Sequence, residues 1–395
     1  MTMPLKSLLG RVLDLDSHEQ IPQARYPEIF GERGKRFLEG SMGMFKHIES
    51  IPKSKPSDGI HLDLPDDCEI TEKTCWEYKG CAGPGHSNMD RRVDMMNVMG
   101  IHRQLVFPTM ALAALSQTQG GLNNGVYLRL SSDEEKELAW DAIEAYNEWA
   151  GAITSKHSDR LRVAAVLATG KPGATPEWLL KETQRLIKTG VKVVFVASGR
   201  PPVGLSPDDK RLDPWYATMA EANVALVTHP PAGTGFISQE WAEVANAVTW
   251  HHIAEEYFVA VMIMGGVFER HPTLRFGVME SGGSWVGPLA DLMDFWAGAK
   301  PRHRRPESFR PPYTLPRRPS EYLARNVRVV PLNFEPVEEW FQRWPHLEDV
   351  FCYSTDYPHL EGQSWSLHGY YENLAPLGDK YLEKFFVTNG QYLLA

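Results

Sequence analysis

The sequence has no apolar run long enough to cross a bilayer, which takes ~18–20 residues. Its longest apolar stretch, Tyr257 to Phe268, is broken by Gly265 and Gly266. Cysteine is scarce, with only Cys68, Cys75, Cys81 and Cys352. The first three are separated by six and five residues, not by the two of a C-x2-C zinc site, and reduced thiols are expected. Positive charge is in deficit: 41 Lys and Arg face 50 Asp and Glu, a net charge of −9. That balance leaves no basic footprint for nucleic acid. The opening residues MTMPLKSLLGRVLDL lack both the ~7–15-residue apolar core and the small-residue cleavage site of a secretory signal. A cytoplasmic protein that contacts neither membrane nor nucleic acid is therefore expected.

Of the 395 residues, 43% are hydrophobic and 23% charged, which excludes a wholly disordered chain. One local exception to the acidic balance is the segment 300–318, where Lys300, Arg302, Arg304, Arg305, Arg310, Arg317 and Arg318 alternate with prolines. It reads as a solvated surface loop, with an oligomer contact or an anion site as the alternatives.

Eight short runs rich in β-branched residues punctuate the chain. They are 11–18, 103–108, 161–167, 191–196, 224–229, 275–280, 327–332 and 349–356. Several are apolar at nearly every position, as strands buried on both faces of a parallel sheet must be. Helical segments lie between them. Ser132 before an acidic first turn opens one that runs through Trp149. Thr175-Pro176 opens a second, ending at Gly190, and Asp213-Pro214 a third. A fourth covers about 251–268, and Glu335-Pro336 opens a fifth. Eightfold alternation of this kind predicts an α/β fold, the closed (β/α)8 TIM barrel. Residues 22–88 and 298–320 fall outside the alternation. We read 1–395 as one barrel domain with these two insertions as lid or loop segments over its mouth.

In such a barrel, polar residues at the C-terminal ends of strands are the first candidates for chemistry. The first run carries Asp14, Asp16 and His18, which share one face by strand alternation, followed by Glu19. The fifth ends in His229, the sixth in Glu280, and the eighth in Asp356, followed by His359 and Glu361. Taken singly, a buried histidine is usually a hydrogen-bonded core residue, and an aspartate before a turn is usually a cap. Together, a dry interior would not keep them without pairing or a metal. Asp16, His18, His229 and Asp356 suit one divalent cation, with Zn2+ as the first expectation and Mn2+ as the alternative.

Five ordered motifs carry a resemblance. They are Asp14-Leu-Asp-Ser-His18, Thr228-His-Pro-Pro231, Gly265-Gly-Val-Phe-Glu-Arg270 running on to Arg275, Glu280-Ser-Gly-Gly-Ser-Trp285, and Ser354-Thr-Asp-Tyr-Pro-His359; a terminal Phe385-Phe-Val-Thr-Asn-Gly390 follows them. With them the chain resembles the amidohydrolase superfamily, in the branch of aminocarboxymuconate-semialdehyde decarboxylase and related metal-dependent hydrolases. The resemblance implies a mononuclear metal at the barrel mouth, held by Asp16, His18, His229 and Asp356, and often a dimer. Two departures stand out. The branch usually has His-x-His on strand one, where this chain has Asp16-x-His18, closer to the Glu-x-His of several hydroxybenzoate-type decarboxylases. At the end of strand six, where a histidine is common, stands Glu280. Glu280 is then an acid, a base or a further ligand, and His251 or His252 is the alternative source of an imidazole, unless that pair only opens a helix.

Two reactions fit. In one, the metal chelates a small aromatic, cyclic or dienoic carboxylate, an acid protonates the α-carbon, and CO2 leaves. In the other, the metal activates water, Asp356 takes its proton and Glu280 protonates the leaving group in hydrolysis of a C–N, C–O or C–C bond. Asp-x-His tilts the balance toward the decarboxylase. Candidate catalytic residues are thus Asp356, Glu280 and His252, with His251, Trp285 and His359 as substrate contacts. Trp76, Tyr78 and His86 of the first insertion are candidates for a cover that excludes water. A barrel that binds a ligand without catalysis is the remaining alternative.

Overall fold

The β-branched runs become a ring of parallel strands. In the computed structural model, which describes residues 3–49, 58–59, 64–109, 111–112, 114–115, 133–230, 252–298, 313–359, 362 and 365–395, seven strands follow in chain order. They are β1 (Val12–Asp14), β2 (Ile101–Val106), β3 in two pieces (Leu161–Val163 and Ala165–Val166), β4 (Val193–Val196), β5 (Ala225–Thr228), β6 (Phe276–Val278) and β7 (Val327–Val329). Each pairs in parallel with the next. The eighth run closes the ring through two bridges, Phe351 to Val329 and Tyr357 to Ser17. Across this seam Leu15 N donates to Tyr353 O (3.1 Å), His18 N to Tyr357 O (2.7 Å) and Asp356 N to Asp16 O (2.8 Å). All eight runs therefore form the TIM barrel that the alternation predicts.

Every residue of β4 and β5 is buried, because helices cover the outer face and side chains fill the inner one. Orientation on β1 follows from its packing. Gly390 of the terminal helix Asn389–Leu394 lies so close to the outer face that a Cβ there would meet Leu13 Cβ at 3.0 Å and Leu15 Cδ2 at 3.4 Å. Leu13 and Leu15 therefore point outward, and Asp14, Asp16 and His18 point into the barrel.

The helix signals act where they stand. Thr175 Oγ1 accepts from Trp178 N at 3.2 Å, Pro176 takes the first helical position, and the helix runs Pro176–Lys188. Two expectations need correction. The helix expected over 251–268 is two, Ile253–Met264 and Val267–Arg270, because Gly266 adopts φ 75° between them. The insertion 22–88 is also not irregular throughout. It holds a 24-residue helix, Tyr26–Glu49, kinked at Gly31 (φ 63°), and a short one, Glu72–Glu77, capped by Thr71.

The long insertion helix braces the outer layer rather than the mouth. It packs on Asp133–Lys156 through Phe30, whose ring lies 6.4 Å from Tyr146 and 6.1 Å from Trp149. Arg33 pairs with Glu144 and Glu148 along the same face. Among the described residues, the part of this insertion that bonds to the strand-eight end lies within 80–84. Of the second insertion, 299–312 lie outside the described residues; Arg317 and Arg318 are exposed, as in a surface loop.

The outer helices pack without slack at Gly151, where a Cβ would stand 2.8 Å from the Thr189 carbonyl oxygen and 2.9 Å from Thr189 Cβ. Backbone cannot yield as a flexible side chain can. Gly151→Ala is expected to destabilise the protein by about 1–3 kcal/mol, read as a lower urea midpoint at unchanged slope.

Candidate metal centre

Four strand ends deliver six donor side chains to one place. β1 runs on to Asp16 and His18, β5 to His229, β6 to Glu280, and the eighth segment to Asp356 and His359. The donor atoms of Asp16, His18 and His229 lie within 4.8 Å of one another, as do those of His18, Glu280, Asp356 and His359. His18 belongs to both sets and is the hub. Its Nε2 stands 3.6 Å from Asp16 Oδ1 and 3.6 Å from Asp356 Oδ1. His229 Nε2 is 3.6 Å from Asp16 Oδ1 and 3.0 Å from Glu280 Oε2. His359 stacks on His18 with ring centroids 3.8 Å apart, its Nδ1 3.2 Å from Asp356 Oδ1.

These side chains fit a cation. Asp16 Oδ1 and Oδ2, His18 Nε2, His229 Nε2 and Asp356 Oδ1 are buried and make no hydrogen bond. Orphaned buried polar atoms are costly and rare, yet five converge here, and donors ~2.1 Å from one ion stand roughly 3.0–3.5 Å apart. His229 is oriented for the role: its Nδ1 donates to the Pro230 carbonyl, which leaves Nε2 as the donor toward the site.

The electrostatics without an ion tell the same story. Burial raises the carboxyls of Asp16 and Asp356 above the usual range, histidines only partly offsetting it. Burial, with His359 and His229 beside it, lowers His18 well below an ordinary imidazole. At His229 burial also disfavours charge, but Asp16 and Glu280 outweigh it and raise the imidazole.

The ends of two strands are strained. Glu280 (φ 47°) and Asp356 (φ 52°) are both left-handed, a conformation that costs non-glycine residues roughly 1–3 kcal/mol. Their surroundings impose it. The turn after Glu280 wraps the Glu335 carboxylate, which accepts from Gly283 N (2.9 Å), Ser284 N (3.3 Å) and Leu332 N (2.8 Å). After Asp356 the chain doubles back so tightly that a Cβ on Gly362 would stand 2.6 Å from Thr355 O and 2.9 Å from Asp356 O.

Below the donors, Asp14 is not a ligand candidate but a brace. It accepts from Gln104 Nε2 (2.7 Å), Thr355 N (2.9 Å) and Thr355 Oγ1 (2.6 Å), and burial pushes its carboxyl up to about 6. Phe107 stands behind His229, ring centroids 4.7 Å apart. Above lies part of the first insertion: Gly80 N donates to Pro358 O (2.7 Å), Tyr357 Oη to Pro84 O (2.8 Å) and His86 Nδ1 to Gln20 O (2.8 Å). Trp76 and His86 are buried within this cover.

Other expected residues land elsewhere. Trp285 is buried, and its Nε1 donates to Gly282 O at 2.9 Å, within the turn that follows Glu280. His252 occupies the N-cap position of Ile253–Met264 without a side-chain cap bond and stands outside both donor sets. His251 lies outside the described residues. His359, read as a substrate contact, belongs to a donor set. Glu255 escaped notice because it reads as an ordinary acid in a helix first turn. It is fully buried, accepts from Ser198 Oγ at 2.7 Å, and burial pushes it up to about 7.

A parallel barrel with mixed imidazole and carboxylate donors at the C-terminal ends of its strands is the scaffold of a metal-dependent barrel enzyme. Residues 131–394 match the amidohydrolase family, and the chain belongs to it; its members are enzymes. That stretch includes His229, Glu280 and Asp356, and lies downstream of Asp16 and His18. Family membership and the donor set leave the non-catalytic alternative without support. Among solved structures, the chain is similar to an amidohydrolase from Mycobacterium avium subsp. paratuberculosis (20% identity, 98% of this chain and 99% of that one, TM-score 0.65). It is similar to 5-carboxyvanillate decarboxylase from Novosphingobium aromaticivorans, solved with manganese and 3-methoxy-4-hydroxy-5-nitrobenzoic acid (17% identity, 97% of both chains, TM-score 0.60). It is also similar to 2,6-dihydroxybenzoate decarboxylase from Rhizobium (15% identity, 97% and 98%, TM-score 0.58). No curated protein matches the chain in sequence. Identities this low establish a shared fold.

Gly362→Ala pushes a methyl group against the Thr355 and Asp356 carbonyls and should weaken Mn2+ binding at least ~10-fold, measured by titration of the metal-free protein. Glu255 has its folded pKa raised from 4.5 to about 7, so folding favours its neutral form. Its contribution is least unfavourable below pH 4.5 and grows costlier until pH 7. The stability of Glu255→Gln relative to wild type should therefore rise between pH 5 and pH 8, by up to about 3 kcal/mol, in urea titrations at each pH.

Proposed function

We propose that the protein is a divalent-metal-dependent decarboxylase acting on a small aromatic or cyclic carboxylic acid. The observation that carries this reading is the buried donor set of Asp16, His18, His229 and Asp356 at the barrel mouth. Half of the six donors are carboxylates, which moves the metal expectation from Zn2+ toward Mn2+. When bound, the ion supplies a positive charge that anchors the substrate carboxylate and stabilises charge developing on the adjacent carbons.

Exposure divides the labour among the side chains. Asp16, His18 and His229 are at most 1% exposed and form the floor, while Glu280 (14%) and His359 (21%) face the opening. Glu280 is therefore the residue we assign to deliver a proton to the substrate carbon. The C–C bond to the carboxylate then breaks, its electron pair stays with the ring, CO2 leaves, and solvent reprotonates Glu280. Phe107 and the cover over Tyr357 and Pro358 keep water scarce, which favours this outcome over hydrolysis. The fold neighbours named for 5-carboxyvanillate and 2,6-dihydroxybenzoate act on aromatic carboxylates, and they support the substrate class. We further propose one barrel domain, a cytoplasmic location and a homodimer. Among the described residues no helix is long and apolar enough to cross a membrane.

Hydrolysis is the second reading, favoured by Glu280 where an imidazole is common in the branch: with Asp356 as the base toward water, a carboxyl group there is suited to protonate the leaving group. A panel of 13C-carboxyl aromatic acids, incubated with Mn2+- or Zn2+-loaded protein in 18O-labelled water, separates the two. We expect 13CO2 and an organic product free of 18O; label in that product would establish the hydrolase. Purified protein should carry about one equivalent of metal, and Asp356→Asn should lower kcat by about 10²–10⁴. Wild-type turnover in that variant would remove Asp356 from the site.

A further inference from the structure

The buried polar groups that the reaction does not use converge on Arg92. It lies in the helix Met89–Met99 and is fully buried. Each nitrogen of its guanidinium bonds a different part of the fold. Nε donates to Gly85 O at 2.6 Å, Nη2 to the His18 carbonyl at 2.6 Å, and Nη1 to Gln104 Oε1 at 3.3 Å. The Tyr357 ring lies against it, its centroid 4.9 Å from Cζ. No ion pair to Arg92 occurs among the described residues. Its link to negative charge runs through an amide: Gln104 Nε2 donates to Asp14 Oδ2 at 2.7 Å, and Asp14 in turn holds Thr355 N and Oγ1.

Every partner adjoins the metal centre. His18 is the hub donor, Asp14 is two residues from Asp16, and Thr355 and Tyr357 flank Asp356. Gly85 belongs to the cover, and its fit is close: a Cβ there would meet Arg92 Cα at 2.7 Å. Burying a guanidinium with only neutral acceptors in contact is expensive, so hydrophobic packing alone would not select it. We infer that Arg92 is a positioning residue, which sets His18, Asp16 and Asp356 in register for one cation and locks the 84–88 cover to them. This rests on the metal-site reading above. Lysine cannot replace it, because a single ammonium lacks the rigid fork that reaches all three acceptors.

The test is Mn2+ affinity of the metal-free full-length protein, read from the electron paramagnetic resonance signal of free Mn2+, with the melting temperature of each apo-protein measured alongside. Arg92→Lys should bind Mn2+ about 10-fold or more weakly than wild type, and Gln104→Met, which cuts only the link to Asp14, about 3- to 10-fold. A purely structural arginine would lower the apo melting temperature and leave the affinity of the folded protein unchanged. Folded Arg92→Lys with wild-type affinity would therefore overturn the inference. If Arg92→Lys does not fold, Gln104→Met decides by the same criterion, and failure of both to fold assigns Arg92 to stability alone. Wild type that binds neither Mn2+ nor Zn2+ would instead overturn the metal site itself.

Discussion

The confinement of like charge governs this molecule. Three carboxylates and three imidazoles are drawn into one dry barrel end, where three anions cannot coexist without a cation or protons. Much else answers that constraint. The strand ends twist into left-handed geometry to aim Glu280 and Asp356, Glu335 and Gly362 hold those turns, and the Asp14 brace ties the first strand to the eighth. The arrangement is costly in the absence of an ion and coherent in its presence, which is the usual relation between a metal site and its scaffold.

The scaffold also separates tasks by depth. The deepest side chains of the cluster are sealed, with His229 fixed through its Nδ1 and backed by Phe107. Glu280 and His359 are the more exposed members and lie nearer the opening. A cover from the first insertion then reaches over Tyr357 and Pro358. Depth thus divides one polar cluster into a sealed floor and a more exposed edge.

Much of this was legible in the sequence. Runs such as Val193–Val196 are apolar at every position because parallel strands bury both faces, so the barrel could be read without contacts. Asp16 and His18 were legible because strand alternation places them together, and His229 and Asp356 because strand ends are where a barrel keeps polar groups. The helix Tyr26–Glu49 was not, since Gly31, Gly34, Gly40 and Gly43 dilute its periodicity. Glu255 and Arg92 sit on helices amid other charges, and only burial distinguishes them. The left-handed backbone of Glu280 has no sequence signature at all.

The seam of the barrel has a consequence for how the protein is made. Asp14 meets Thr355 across 341 positions of sequence, and the donors on either side of that contact are joined only when the last strand docks against the first. No partial chain can assemble the full donor set. Contacts this distant in sequence make slow folding, and the six side chains come together only as the ring closes.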